Sequence, residues 1–107
     1  MNALRTWLFA PGNHDRKIEK VFKVAADVVV LDLEDSVPRA SKISCRSKVV
    51  KALTNELNSP CRKYIRVNSM DTEFCYADIQ EAIGPWLDGL LLPKVEHEHQ
   101  LYNRLVN

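Results

Sequence analysis

Apolar positions alternate between two patterns along this chain. Short, nearly continuous runs, "RTWLFAPG", Val28 to Glu34, "KYIRVN" and "GLLLPK", have the length and branched content of strands buried on both faces. Between them the apolar residues fall at helical spacing. Asn13 to Ala26 places Ile18, Val21, Phe22 and Ala25 on one stripe, with Asn13 or Asp15 as N-cap and Arg16, Lys17, Lys20 and Lys23 outside it. About Ala40 to Leu57 sets Ile43, Val49, Val50, Leu53 and Leu57 on a common side, "FCYADIQEAI" makes a third helix, and "EHEHQLYNRLV" begins a fourth. Pro11-Gly12, Asn58-Ser59-Pro60 and Gly84-Pro85 punctuate the elements.

The pattern is therefore four β/α units with no linker or low-complexity run. Buried strands joined by amphipathic helices imply a parallel sheet covered by helices, either a doubly wound sheet or a β/α barrel. Both architectures gather function at the carboxyl ends of the strands. Those ends carry Pro11-Gly12, then Asp32-x-Glu34-Asp35, then Arg66-Val67-Asn68, then Pro93-Lys94.

An acidic cluster ending a buried strand is unfavourable unless a cation faces it. Alternation puts Asp32 with Glu34 and Arg66 with Asn68 on one face each, so the two pairs can meet near the mouth of a barrel. Two readings stand. Either the acids and Arg66 form a structural ion pair, or the acids hold a guanidinium whose planar fork binds a substrate carboxylate. Asp35, Ser36 and Pro38 read as turn and cap residues. Arg16 and Lys20 read as a solvated helix face or a phosphate clamp, and Lys94 as a snorkelling strand-end lysine or a ligand group.

Composition narrows the partners. The 107 residues suffice for one domain, and a net charge of +1 provides no general field for nucleic acid or an anionic membrane. Trp7 and Trp86 lack the basic, base-stacking company that single-stranded nucleic acid requires. Cys45, Cys61 and Cys75 are odd in number and widely spaced, which points away from a disulfide framework and toward a reducing, cytoplasmic setting. "WLFA" is too short for a signal-peptide core, and no segment approaches a membrane span. His14, His97 and His99 read as surface residues rather than metal ligands, since residues two apart diverge on a helix.

"RTWLFAPGN", "DVVVLDLEDSVP", "YIRVNSMDT" and "DGLLLPKVE", in this order, resemble the citrate lyase β-subunit family of the HpcH/HpaI aldolase superfamily, which includes malyl-CoA and citramalyl-CoA lyases. The resemblance implies a (β/α)8 TIM barrel, of which residues 1–107 form the N-terminal part, about the first four β/α units. It implies a Mg2+-dependent lyase that splits a 3-hydroxyacyl thioester, such as citryl-, malyl- or citramalyl-CoA, into an acetyl thioester and a 2-oxo acid. By motif, Arg66 contacts the carboxylate or 2-oxo group, Asp32 and Glu34 support it, and Asn68 and Lys94 join the substrate contacts. Pro11, Gly12, Arg16 and Lys20 help hold the CoA or acyl-carrier arm. The metal ligands are expected on later strands, none in this chain, and the full-length protein is expected to be a homo-oligomer. A barrel of this kind runs to roughly 250 residues, so the chain alone is expected to be inactive. Two alternatives remain: a non-catalytic half-barrel that binds CoA, and a pyruvate-type aldolase acting on a free 2-oxo acid.

Overall fold

The computed structural model describes residues 6–93. Strand β1 (Trp7–Pro11) leads through the Pro-Gly turn to helix α1 (Asp15–Lys23), then come β2 (Val28–Asp32), a 3-10 turn over Arg39–Ser41, α2 (Lys42–Asn55), β3 (Arg62–Arg66), α3 (Cys75–Ala82) and β4 (Gly89–Leu91). The four strands form one parallel sheet in the order β1-β2-β3-β4. The order never reverses, so these strands contain no switch point of the doubly wound kind. The fourth helix expected from the sequence lies outside the described residues.

Side chains of one strand parity, Leu8, Ala10, Val29, Leu31, Ile65 and Leu90, pack with Ile18, Val21, Cys45, Val49, Leu53 and Ala82 of the three helices. Because successive strand residues point to opposite faces, the helices share one side of the sheet, and Trp7, Phe9, Val28, Val30, Asp32, Tyr64 and Arg66 belong to the other. All five residues of β2 are buried, as a central strand with two covered faces requires. Over its second face the Trp7 and Tyr64 rings, from the two flanking strands, meet at a 5.6 Å centroid separation.

Three details differ from the periodicity. Helix α1 is capped by neither Asn13 nor Asp15: His14 does it, its Nδ1 accepting from the Lys17 N–H at 3.3 Å. Val24 is already extended, so Ala25 falls outside the helix and is exposed, while Ala26 is buried as the chain enters β2. On α2 the buried stripe is Cys45, Arg46, Val49 and Leu53. Ile43 is exposed because six residues of α-helix separate it from Val49 by two-thirds of a turn, and Leu57 because it lies past the helix end. Trp86 closes α3 by donating its indole N–H to the Ala82 carbonyl at 2.8 Å.

Gly12 fixes where the first turn sits. It is buried, its N–H donates to the Asp32 carbonyl at 2.8 Å, and a Cβ there would lie 2.7 Å from that oxygen and 2.8 Å from Val49 Cγ1. Only a glycine lets the turn close this tightly over the end of β2.

Candidate active site

The strand register places Pro11, Asp32, Arg66 and Leu91 side by side at the carboxyl end of the sheet. Asp32 and Arg66 therefore meet directly. Arg66 donates to both Asp32 oxygens, Nε to Oδ1 and Nη2 to Oδ2, each at 2.9 Å. Glu34, which follows the strand, brings Oε1 to 3.7 Å from Arg66 Nε. The guanidinium carbon also stands over the Phe9 ring, 5.3 Å from its centre.

Asp32 is 1 % exposed, so its charge depends on its donors. Besides Arg66 it accepts from the Glu34 N–H at 2.8 Å, the Ser36 N–H at 2.9 Å and the Ser36 hydroxyl at 2.5 Å. The Glu34 contact closes an Asx-turn, so one carboxylate both ends the strand and turns the chain. Burial by itself pushes the Asp32 carboxyl up, but the Arg66, Ser36 and Glu34 donors outweigh it and hold the group down at about 2, against an ordinary value of 3.8. The same pairing raises Arg66 above its ordinary value.

A carboxyl lowered on folding stabilises the fold where it is ionised in both states, above its unfolded value, and loses that contribution as pH falls toward its folded value. The expected result is a fall in stability between about pH 4 and pH 2, seen as a falling urea midpoint. Asp32→Asn should flatten that part of the profile. An unchanged slope in the variant would show that other carboxyls govern acid unfolding.

The structure shows the ion pair of the first reading, and its geometry leaves donors over for a ligand. Asp32 takes the Nε–Nη2 edge, and of five guanidinium N–H donors those on Nη1 and the second on Nη2 have no acceptor shown among the described residues. Phe9, Ala10, Pro11, Asp32, Ser36 and Arg66 line a cavity of about 350 Å³ at this point. The arrangement is a half-buried cation, braced by a carboxylate and set near an aromatic ring, with donors left for a planar carboxylate or 2-oxo acid.

The other sequence candidates fall in different places. Gly12 spends its N–H within the chain. Asn68 is 2 % exposed and lies behind the cavity: its side-chain N–H donates to Asp78 Oδ2 at 2.7 Å and its oxygen accepts from Lys42 Nζ at 2.7 Å. Both have internal partners where ligand contacts were expected. Arg16 and Lys20 are exposed on α1, and Lys20 flanks, with Lys17, a cavity of about 240 Å³ walled by Leu8, Phe9, Val21 and Val24. Lys94 lies outside the described residues.

Residues 5–104 match the family model described as HpcH/HpaI aldolase/citrate lyase. The chain belongs to this family. Among its relatives, the L-malyl-CoA/β-methylmalyl-CoA lyase of Cereibacter sphaeroides is 41% identical over 96 residues, 85% of this chain and 30% of the relative. A (3S)-malyl-CoA thioesterase of the same species is 35% identical over 97 residues, 91% of this chain and 34% of the relative. The fold of this family member superposes on protein CitE from Mycobacterium tuberculosis in complex with magnesium, acetoacetate and coenzyme A, at a TM-score of 0.61 and 30% identity, covering 91% of this chain and 34% of that one. It also matches the citrate lyase β subunit of that organism complexed with oxaloacetate and magnesium, at a TM-score of 0.63 and 29% identity, covering 92% and 42%. The chain thus spans about a third of the length of the curated relatives it matches.

Sequence reasoning passed over Ser36, read only as a turn residue, although it supplies two of the bonds to Asp32. It also passed over Lys42, Arg46 and Asp78. Arg46 Nε donates to Asp78 Oδ1 at 2.9 Å and Nη2 to the Phe74 carbonyl at 3.2 Å, with Asp78 fully buried. A signal for the two cations was present: positions 42, 46, 49 and 53 recur at helical spacing, so Lys42 and Arg46 continue the stripe that Val49 and Leu53 bury.

Proposed function

We propose that the protein is a carbon-carbon lyase acting on a 3-hydroxyacyl thioester of the citryl, malyl or citramalyl class, and that this chain contributes the arginine that receives the 2-oxo acid half. The observation that carries the reading is the open edge of Arg66 at a cavity, with its other edge locked on Asp32. The unreversed strand order and the single helical layer support a (β/α)8 barrel as the complete fold, with these residues as its first part.

Cleavage of such a substrate removes the hydroxyl proton and breaks the adjacent C–C bond. The electron pair passes to the thioester as an enolate, which takes up a proton at carbon to become the acetyl thioester, and the hydroxyl carbon becomes the 2-oxo carbonyl. Arg66 binds the carboxylate of that half and stabilises charge on the oxygen beside it. Its pairing with Asp32 means that little reorganisation accompanies the reaction. Glu34 trims the local positive charge, and Phe9 provides a flat apolar wall. Arg16, Lys17 and Lys20 supply cations suited to the phosphates of a CoA or carrier arm, beside the apolar wall of α1 and β1.

The described residues do not themselves make a site for magnesium. Among them no three acidic, histidine or cysteine side chains converge to hold a metal ion, and the Asp32 oxygens are already occupied by donors. The isolated chain is expected to bind a 2-oxo acid without splitting the C–C bond of a hydroxyacyl thioester.

The thioesterase among the relatives favours a second reading, hydrolysis of the thioester on the same acid-binding platform. One experiment separates the two. The native gene product is incubated with malyl-CoA, citramalyl-CoA and magnesium, and the products are identified by mass. An acetyl thioester with a 2-oxo acid establishes the lyase, whereas free CoA with the intact hydroxy acid establishes the thioesterase. Turnover of a free 2-oxo acid, uninhibited by CoA, would make it a pyruvate-type aldolase, and binding of CoA without any turnover would make it a binding module.

A further inference from the structure

We infer that Lys42 is a positioning residue that sets the geometry of the Arg66 fork. The inference rests on the proposed role of Arg66 in receiving a 2-oxo acid. Lys42 opens α2, where the helix N-terminus disfavours a cation. Its ammonium nevertheless reaches three acceptors: the Glu34 carbonyl at 2.6 Å, the Asn68 side-chain oxygen at 2.7 Å and the Leu33 carbonyl at 3.2 Å. These acceptors are neutral, and they belong to the two segments that leave the sheet directly after Asp32 and Arg66.

The tie is continued on the far side. Asn68 passes it to Asp78, which accepts from the Asn68 main-chain N–H at 2.9 Å and from its side chain, and Asp78 is fixed in turn by Arg46 of α2. Lys42 and Arg46, one helical turn apart, thereby bolt the exits of β2 and β3 to a single helix. The consequence falls on the site. Glu34 keeps its carboxylate beside Arg66 only while its main chain is held, and Leu33, whose carbonyl Lys42 binds, donates its own N–H to the Arg66 carbonyl at 2.9 Å. Lys42 lines none of the cavity that Arg66 faces, so its influence on a ligand passes through the acid–arginine group.

The test compares the native gene product with its Lys42→Met and Lys42→Gln variants. Methionine keeps the aliphatic stem and deletes the donors, while glutamine retains N–H donors on a shorter arm. Oxaloacetate and CoA binding are measured separately by calorimetry, well below each protein's unfolding temperature. Because misplacement of a binding group by about 1 Å can cost up to 10²-fold, the expected result for Lys42→Met is oxaloacetate binding weaker by about tenfold or more, with CoA affinity unchanged. Lys42→Gln should recover part of the loss. A folded Lys42→Met that binds oxaloacetate like the parent overturns the inference, as does an equal loss for both ligands. If Lys42→Met does not fold, Lys42→Gln decides by the same criterion.

Failure of the parent protein to bind oxaloacetate would count against the proposed function and not against the positioning. In that event the Arg66 side-chain Nε–H resonance is the readout. Its protection from solvent exchange should be lost in the variant, and its retention would overturn the inference.

Discussion

Arg66→Lys is expected to lower kcat/KM for the proposed C–C cleavage by about 10²–10³-fold, the range seen when one preorganised donor to a developing charge is lost. Lysine keeps the positive charge but not the fork. Arg66 makes two parallel bonds to Asp32 through one edge while presenting a second edge to the cavity, and this double use requires a planar group with donors in fixed directions. An ammonium at the end of a flexible stem can satisfy Asp32 or the substrate, but it cannot hold a defined geometry between them. The loss should appear in kcat as well as in KM, because a fork already in place when charge develops acts in the transition state. Parent-like kinetics for the lysine variant would mean that charge alone suffices and that the fork is structural.

The second large effect is on stability. Asp78→Ala should lower the unfolding free energy by about 3–5 kcal/mol, the usual result of removing one partner from a buried ion pair. Asp78 is fully buried, Arg46 is nearly so, and the aspartate also accepts two bonds from Asn68. Its removal strands a guanidinium and an amide in the interior at once. Since small domains have only about 5–15 kcal/mol in total, the variant should show a much lower urea midpoint or be substantially unfolded in water. The double change Asp78→Leu with Arg46→Met, which removes both charges and refills the volume, should recover much of the loss. A single variant within about 0.5 kcal/mol of the parent, the range of ordinary surface substitutions, would show that water reaches this pair.

The two predictions address different layers of one construction. Arg66 and Asp32 face the cavity, and Arg46, Asp78, Asn68 and Lys42 lie behind them, between the sheet and its helices. Polar networks this deep are stabilising only when every member is satisfied. Among the described residues no buried side-chain nitrogen or oxygen lacks a hydrogen-bond partner.

Four strands, three helices and the rim at which the acids and the arginine meet were legible in the sequence. Strand and helix periodicity is local, and the apolar run Val28 to Leu31 admits little but a central strand. The pairing of Asp32 with Arg66 followed from both residues occupying strand ends of the same parity, an inference that needs only alternation and a parallel register. Identity of residue type and spacing also placed Arg66 in its family motif. Gly12 and Asn68 were read as ligand groups from their place in the family motifs at the rim, which carries no information on their partners within the chain.

Their actual partners come from elements distant in the chain. The Asp32 carbonyl lies 20 residues from Gly12, and Lys42 and Asp78 flank Asn68 at separations of 26 and 10 residues. Such contacts depend on how α2 and α3 are rotated against the sheet, which no local period specifies. The α2 stripe shows the same division. The sequence determined that a helix would cover this stretch and that Arg46 would share a stripe with Val49 and Leu53, but only packing decided that this stripe, and not the one through Ile43, would face the sheet. By itself the sequence determined the alternating elements, the apolar core and the charged rim, since each follows from residue type at a fixed period. Tertiary structure alone decided which edge of Arg66 is occupied and which is open, because that choice rests on an Asp32 carboxylate oriented by Ser36, Glu34 and the turn that Gly12 permits.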